Sequence, residues 1–322
     1  FTVKNTIEMF KRNSPDSGAE MVRGMSRVLS AVVDELDSAK PDIVLTGFDI
    51  GANFATTVAA AHMNIPVAHI QGGEVTGSID ESLRHGMSKF AHIHFPATED
   101  AKDRLIAMGE RPDSIHVVGC PSLDVLLKAP KKSKQQLEQE FKVDFSRPVV
   151  VLIQHPVTTE HTDSHKQIAA TLNALKKLSV QTIALLPNND AGFSKIVQSV
   201  TDSGLQWYKS LDVETFASLY QHIWAIVGNS SSGIHEAATF QVPTVNIGTR
   251  QQGRGRPANV TDVPYNTDEI VVALKKALYD KVYRNSLKNL VNPYGDGMSA
   301  KRIVAVLKQA KIDGIVQKRF YE

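Results

Sequence analysis

Residues 65–95 read IPVAHIQGGEVTGSIDESLRHGMSKFAHIHF, a strand, a broken loop, a helix and a second strand in quick succession. Residues 65–70 are short and apolar, with Val67 and Ile70 as apolar members, and predict a buried strand. Gly72-Gly73 ends it, where the backbone can turn tightly and approach a ligand. Glu74, Asp80, Glu81, Arg84 and His85 then fall within a short span, and residues 92–95 predict the next strand. In an open α/β sheet, ligands bind beyond the carboxyl ends of the strands, which is where this crowd of acids, cation and imidazole sits.

The same alternation runs outward in both directions. Upstream, residues 17–38 carry Met21, Met25, Val28, Leu29, Val32, Val33 and Leu36 at helical spacing, Pro41 stops that helix, and residues 42–46 predict a strand. Gly47-Phe48-Asp49 and a small-residue helix over 52–63 follow, and helix 80–90 joins the two strands already described. Downstream come helix 98–108 and a strand over 114–118. Residues 128–147 are charged and poor in apolar runs, and are expected to be a linker with a surface helix. A second half then shows strands at 148–153, 181–186, 205–208, 223–227 and 244–247, with helices at 163–178, 190–202, 212–221 and 233–240 among them. Helices at 268–279, 281–290 and 299–310 close the chain. This order predicts two doubly wound parallel-sheet domains, 1–145 with the linker and 146–322, with a ligand cleft between them. Such a domain normally opens with a strand and a glycine-rich turn; FTVKNTIEMFKRN is neither, so the first domain is expected to lack its N-terminal strand.

Composition narrows the class. The chain has 322 residues, is 42% hydrophobic, and carries a formal charge of +2 with 22% charged residues, so nothing directs it to nucleic acid or a membrane surface. Its single cysteine, Cys120, forbids an internal disulfide and fits a reducing cytoplasm. No apolar run reaches the ~18–20 residues of a membrane span, no signal peptide is visible, and no internal repeat is evident.

The second half has its own motif, Val227-Gly228-Asn229-Ser230-Ser231-Ser232-Gly233-Ile234-His235-Glu236-Ala237. An apolar strand runs into glycines and hydroxyls where a helix starts, and a helix N-terminus suits a phosphate. Glu236, one turn in, can accept hydrogen bonds from a ribose diol. The competing reading is a plain serine N-cap, which three consecutive serines exceed. Arg250, Arg254 and Arg256 in the run 249–256 either add cations to the same phosphates or form a solvated loop.

These residues resemble a known family. IPVAHIQGGE, DESLRH and HFPATE, followed by VGNSSSGIHEA and VPTVNIG about 150 residues on, are similar to the hydrolysing UDP-N-acetylglucosamine 2-epimerases, over roughly residues 41–310. The resemblance implies a GT-B fold, two Rossmann-like domains with the nucleotide sugar between them, and a homodimer or homotetramer. It implies release of N-acetylmannosamine, or a 2,4-diacetamido-6-deoxy relative, for nonulosonic-acid synthesis.

Matching the family's motifs places its catalytic acids at Asp49, Glu74 and Asp80 and its catalytic histidine at His155; Arg84 and His85 follow the second acid, as in the family, and are candidates for binding the substrate. Which acid takes the proton and which gives it stays open. Asn188, with Asn189 and Asp190, ends a strand and is a candidate for sugar or diphosphate; Asn229, Ser230, Ser231, Ser232, Gly233, Glu236, Arg250 and Arg254 are candidates for UDP. Each has a plainer alternative: Asp49 and Asp80 as helix-start acids, His155 as a loop residue. His69, His92 and His94 lie in or beside strands and are expected to be core residues. No cofactor or metal is expected, since no dinucleotide GxGxxG and no His/Cys cluster is present. The family's common Gly-Asp-Arg is replaced by Phe48-Asp49-Ile50, keeping the acid and losing the arginine. The competing functions are a non-hydrolysing epimerase, a glycosyltransferase of the same fold, and a catalytically silent nucleotide-sugar-binding protein.

Overall fold

The computed structural model describes residues 3, 5–11, 14–47 and 51–321. They form two compact units, each with its own parallel sheet.

Unit 1 comprises residues 1–75, 79–120 and 298–322. Its first helix, α1 (Gly18–Ala39), is capped by the Ser17 side chain, which accepts from the Glu20 amide, and ends at Lys40 in the left-handed conformation just before Pro41. Val28, Val32 and Leu36 line its buried stripe at four-residue spacing. Strand β1 (Val44–Gly47), helix α2 (Gly51–His62), strand β2 (Val67–Ile70), helix α3 (Ile79–Phe90) and strand β3 (Ile93–Phe95) follow. The strands pair in parallel in the order β1-β2-β3. Alternation splits β2 between two cores: Val67 packs with Val32, Leu36 and Ala60, whereas Ala68 packs with Phe95, Val118 and Ile303. Helix α4 (Glu99–Ala107), capped by Thr98, completes the front of the unit.

Unit 2 comprises residues 76–78 and 121–297. Helices α5 (Pro121–Lys128) and α6 (Lys134–Phe141) lead into strand β4 (Val149–Ile153). There follow α7 (Ser164–Leu178), β5 (Gln181–Leu185), α8 (Phe193–Asp202), β6 (Gln206–Tyr208), α9 (Val213–Leu219), β7 (Ala225–Gly228), α10 (Ser232–His235), β8 (Thr244–Ile247) and β9 (Val260–Val263). Helices α11 (Thr267–Tyr279) and α12 (Lys281–Ser286) close it. The strand order is β6-β5-β4-β7-β8-β9, all parallel. Every residue of β4 is buried. Val150 and Leu152 join Ile168, Leu175, Ile270 and Leu274 on one face; Val149, Val151 and Ile153 join Leu137, Phe141 and Leu219 on the other. An all-apolar strand is what a sheet covered on both faces requires.

Several expectations need correction. The division does not fall at residue 145: α5 and α6 belong to unit 2, so the charged run is the entry to that unit rather than a linker. The last helix, α13 (Ser299–Gln309), returns to unit 1, because Ile303 buries itself against Phe95 and Val118. Residues 114–118 do not form a strand; a 3-10 turn at Pro112–Ser114 precedes a single bridge between Ile115 and His94. Strand β9 was not expected, since Val260–Val263 alternates weakly and sits at the sheet edge. The helix over 233–240 shrinks to α10, four residues long, followed by turns.

Candidate functional site

The acid-bearing loop of unit 1 is fixed through its backbone. Gln71 and Gly73 take positive φ values of 59° and 81°. A Cβ on Gly73 would stand 2.2 Å from the Ala101 carbonyl oxygen, so only glycine fits there. Arg104 Nη1 donates to the Gly73 carbonyl at 2.5 Å, and the buried Arg84 donates through Nη1 to the Glu74 carbonyl at 2.6 Å. Arg84 therefore has a structural task on the loop. Gln71 Nε2 reaches Glu74 Oε1 at 3.4 Å and Cys120 Sγ at 3.3 Å. Glu74 is 4% exposed, a carboxylate held in a nearly dry position at a strand end.

Asp80 and Glu81 occupy the first turn of α3, where acids favour the helix dipole. Glu81 lies one turn from His85, with Oε1 and Nε2 3.8 Å apart. Burial first, then the Arg84 and Arg104 guanidiniums, lower the His85 pKa, while Glu81 opposes them. Asp49 lies outside the described residues.

The other histidines behave as sheet residues. His69 Nδ1 meets Ser88 Oγ at 3.1 Å, and Ser88 itself donates to the Arg84 carbonyl. Since that hydroxyl proton is committed, His69 Nδ1 carries the hydrogen of their bond. Burial holds His69 neutral. His92 Nδ1 accepts from the Val67 amide at 3.0 Å. His94 Nε2 meets Glu110, whose buried carboxylate also takes Lys89 Nζ at 2.7 Å and the Lys318 ammonium. Burial alone would raise the Glu110 pKa, but hydrogen bonds from His94, Lys318 and Lys89 bring it down to about 2. Lys318 also donates to the carbonyls of Ser88, Lys89 and Ala91, closing the C-terminal end of α3. A cavity of about 950 Å³ beside this cluster, bordered by His92, Glu110, His116 and Lys318, includes none of the expected site residues.

In unit 2 the strand order reverses direction at β4, so β4 and β7 are neighbours whose connections leave in opposite senses. That switch point is where an open α/β sheet leaves a crevice at its carboxyl edge. The loop after β4 carries His155, and the loop after β7 carries Asn229 and the three serines. Two contacts join them. The His155 amide donates to Asn229 Oδ1 at 2.7 Å, and Asn229 Nδ2 donates to the His155 carbonyl at 2.9 Å. The Asn229 side chain thus extends the sheet by one residue pair and its amide is consumed by backbone. Gly228, at φ 127°, has no room for a Cβ, which would stand 2.1 Å from the Ile153 carbonyl oxygen.

The ring of His155 meets the loop after β5: its Nδ1 lies 3.1 Å from Asn188 Oδ1, and Asn188 Nδ2 donates to Asp190 Oδ2 at 2.7 Å. Burial, then the Arg250 charge, pushes the His155 pKa down to about 3. Neutral imidazole is therefore the resting form.

The serines partly satisfy one another. Ser232 donates to Ser230 Oγ through its amide at 3.3 Å and its hydroxyl at 3.1 Å. Gly233 packs against Thr244, whose Cγ2 would lie 2.5 Å from an added Cβ. Glu236 is buried; its Oε1 accepts from Ser122 Oγ at 2.6 Å, and its Oε2 has no partner among the described residues. Burial raises its pKa against the opposing pull of His235, Ser122 and Arg254. The Asn229 carbonyl accepts from Gln251 Nε2 at 2.9 Å and from Arg250 Nη1 at 3.3 Å, and Arg254 Nη1 donates to Gln251 Oε1 at 2.9 Å. The arginine loop thus folds back on the serine loop. Residues 76–78 join it there: the Gly77 amide donates to the Arg250 carbonyl at 2.9 Å, and a Cβ on Gly77 would stand 1.9 Å from the Thr249 carbonyl oxygen. Gln251, Ser122 and Gly77 were not read as site-supporting residues, because no local pattern marks a side chain whose partner lies far along the chain.

Two Rossmann-like units in one chain define the GT-B class of α/β protein. The family model for UDP-N-acetylglucosamine 2-epimerase matches residues 3–308. A relative from Legionella pneumophila, UDP-N,N'-diacetylbacillosamine 2-epimerase (hydrolyzing), is 36% identical over 312 residues, 96% of this chain and 81% of the relative. A Neisseria meningitidis UDP-N-acetylglucosamine 2-epimerase is 34% identical over 245 residues, 75% of this chain and 64% of that protein. The crystal structure of a UDP-GlcNAc 2-epimerase from Neisseria meningitidis bound to UDP-GlcNAc superposes with a TM-score of 0.80 at 24% identity, covering 94% of this chain and 84% of that one. The chain belongs to the UDP-N-acetylglucosamine 2-epimerase family.

Proposed function

We propose that this protein is a hydrolysing 2-epimerase. It takes UDP-N-acetylglucosamine, or a UDP-2,4-diacetamido-6-deoxy sugar, and releases the free C2 epimer with UDP. The observation that carries this reading is the pairing of the two loops at the unit 2 switch point. His155, the serine run and the buried Glu236 there form an edge suited to a nucleotide diphosphate. The unshared Oε2 of Glu236 suits a ribose hydroxyl. The amides of residues 230–233 with Arg250 and Arg254 suit the diphosphate.

The C2 proton of the sugar is not acidic, because C1 is an acetal carbon. Its removal needs a carboxylate at close range and a leaving group departing from C1 in the same process. In our reading Glu74, Asp49 and Asp80 are the candidate carboxylates. One takes the C2 proton while the C1–O bond to UDP breaks, giving 2-acetamidoglucal. Cations and amides stabilise the charge gathering on the diphosphate. A second carboxyl group then delivers a proton to the opposite face of C2, and water adds to C1. His85, on α3 one turn from Glu81, is a further candidate for contact with the substrate. The protein acts as a homodimer or homotetramer in the cytoplasm, and no redox cofactor enters the chemistry.

The Legionella relative's name supports the hydrolysing outcome, and the Neisseria relative, named only as an epimerase, favours the alternative in which UDP stays attached to the product. Incubation with UDP-N-acetylglucosamine in deuterated water, followed by NMR, separates them. The proposal expects free N-acetylmannosamine with deuterium at C2. UDP-N-acetylmannosamine as the product would replace it with the non-hydrolysing reading, and UDP binding without turnover with a silent one.

A further inference from the structure

His155 Nδ1 faces two groups of one residue that make opposite demands. The backbone N–H of Asn188 lies 3.1 Å away and can only donate, so it asks for a lone pair on Nδ1. Asn188 Oδ1 lies 3.1 Å away and can only accept, so it asks for a proton there. The ring can satisfy one of them. A side-chain amide ordinarily relieves such a conflict by turning its NH2 toward the lone pair. Here Asn188 Nδ2 already donates to the Asp190 carboxylate at 2.7 Å, and turning would set the amide oxygen against that carboxylate. The backbone N–H belongs to an exposed residue, so a small shift of the loop lets water take its bond, whereas the amide–carboxylate bond is charge-assisted and the stronger of the two.

We infer that Asp190 is a positioning residue that selects the ring tautomer of His155: by holding the Asn188 amide with Oδ1 toward the imidazole, it keeps the ring proton on Nδ1 and leaves the lone pair on Nε2. Its catalytic meaning rests on the place given to His155 under the proposed function. Nε2 then presents a lone pair in the resting site. When an anionic diphosphate is bound, uptake of a solvent proton at Nε2 gives an imidazolium whose two N–H groups both have partners, Asn188 Oδ1 and a phosphate oxygen. The opposite tautomer would leave Asn188 Oδ1 pressed against a bare nitrogen.

Long-range ¹H–¹⁵N NMR of the histidine rings in the free protein reads this directly, with His155 assigned from the spectrum of His155→Gln. The wild type is expected to carry its proton on Nδ1. Asp190→Ala, which frees the amide to turn, is expected to move it to Nε2. Asp190→Asn retains an oxygen that accepts from Asn188 Nδ2, so it is expected to keep the wild-type tautomer. Asp190→Ala should also lose about tenfold or more in kcat with little change in UDP affinity, and Asp190→Asn should recover most of that loss. If Asp190→Ala does not fold, Asn188→Ala serves, since it leaves only the backbone N–H beside Nδ1 and should also give Nε2–H. A wild-type ring protonated on Nε2 overturns the inference, and so does an unchanged tautomer in the variant. The ring spectrum is independent of turnover, so a protein with these tautomers but no epimerase activity would refute the proposed function and leave this inference standing.

Discussion

Replacing Asn229 by alanine separates a staple from a ligand. The Asn229 side chain is 1% exposed with its residue and makes two bonds to the His155 backbone, at 2.7 and 2.9 Å. Each intramolecular hydrogen bond contributes about 0.5–1.5 kcal/mol net, and each partner left buried without a substitute costs about 1–3 kcal/mol. His155 is half-buried, so water reaches part of the released backbone and the lower end of that range applies. The expected loss is about 2–4 kcal/mol of unit 2 stability. Asn229→Asp keeps the acceptor but sets an oxygen against the His155 carbonyl, and should recover little of it. Both tryptophans, Trp207 and Trp224, lie in unit 2, so urea denaturation followed by their fluorescence reports on this unit. Stability within about 0.5 kcal/mol of wild type, together with a large loss of UDP affinity, would refute the staple and make Asn229 a direct ligand.

Glu74→Gln is expected to lower kcat by about 10²–10⁴-fold with UDP affinity within a few-fold, measured by product NMR and calorimetry; a fully active variant removes Glu74 from the mechanism. Gly77→Ala must displace residues 76–78, because its Cβ would meet the Thr249 carbonyl oxygen at 1.9 Å. Turnover should fall about tenfold or more, and wild-type kinetics would show that this segment is free to shift. Glu110 has a folded pKa lowered from 4.5 to about 2, so its ion pairs stabilise the protein fully above the ordinary value, and this is lost as pH falls from about 4.5 toward 2. Glu110→Gln should therefore cost about 3 kcal/mol at neutral pH, a difference that closes on acidification; a pH-independent difference contradicts the network.

Local pattern carried much of the fold. The all-apolar β4 and the apolar stripe of α1 were each legible within a few residues. What escaped depends on distant partners. Nothing near Ile303 says that α13 packs on unit 1 rather than on unit 2, to which it is joined in sequence. Residues 114–118 look like a strand, yet only Ile115 bridges to β3. α10 stops after four residues, and the chain beyond it turns so that Asn292 donates to the His235 carbonyl and to Thr239, contacts that apolar spacing cannot foretell.

The candidate site shows the same division. Gly72-Gly73-Glu74 and the serine run announce themselves, because glycines at strand ends and a buried acid have few structural uses. The supporting groups do not. Arg84 reads as a substrate cation but is buried against the Glu74 carbonyl, and Asn229 reads as a UDP ligand but spends its side chain on the His155 backbone, 74 positions away. Their roles emerge only once β4 and β7 lie side by side.

A crystal structure with UDP tests the central claim most directly. The account predicts the diphosphate at the carboxyl edge of β4 and β7, against the amides of residues 230–233 and beside the His155 ring, with a ribose hydroxyl on Glu236 Oε2. A diphosphate bound elsewhere, with those loops unoccupied, would contradict it.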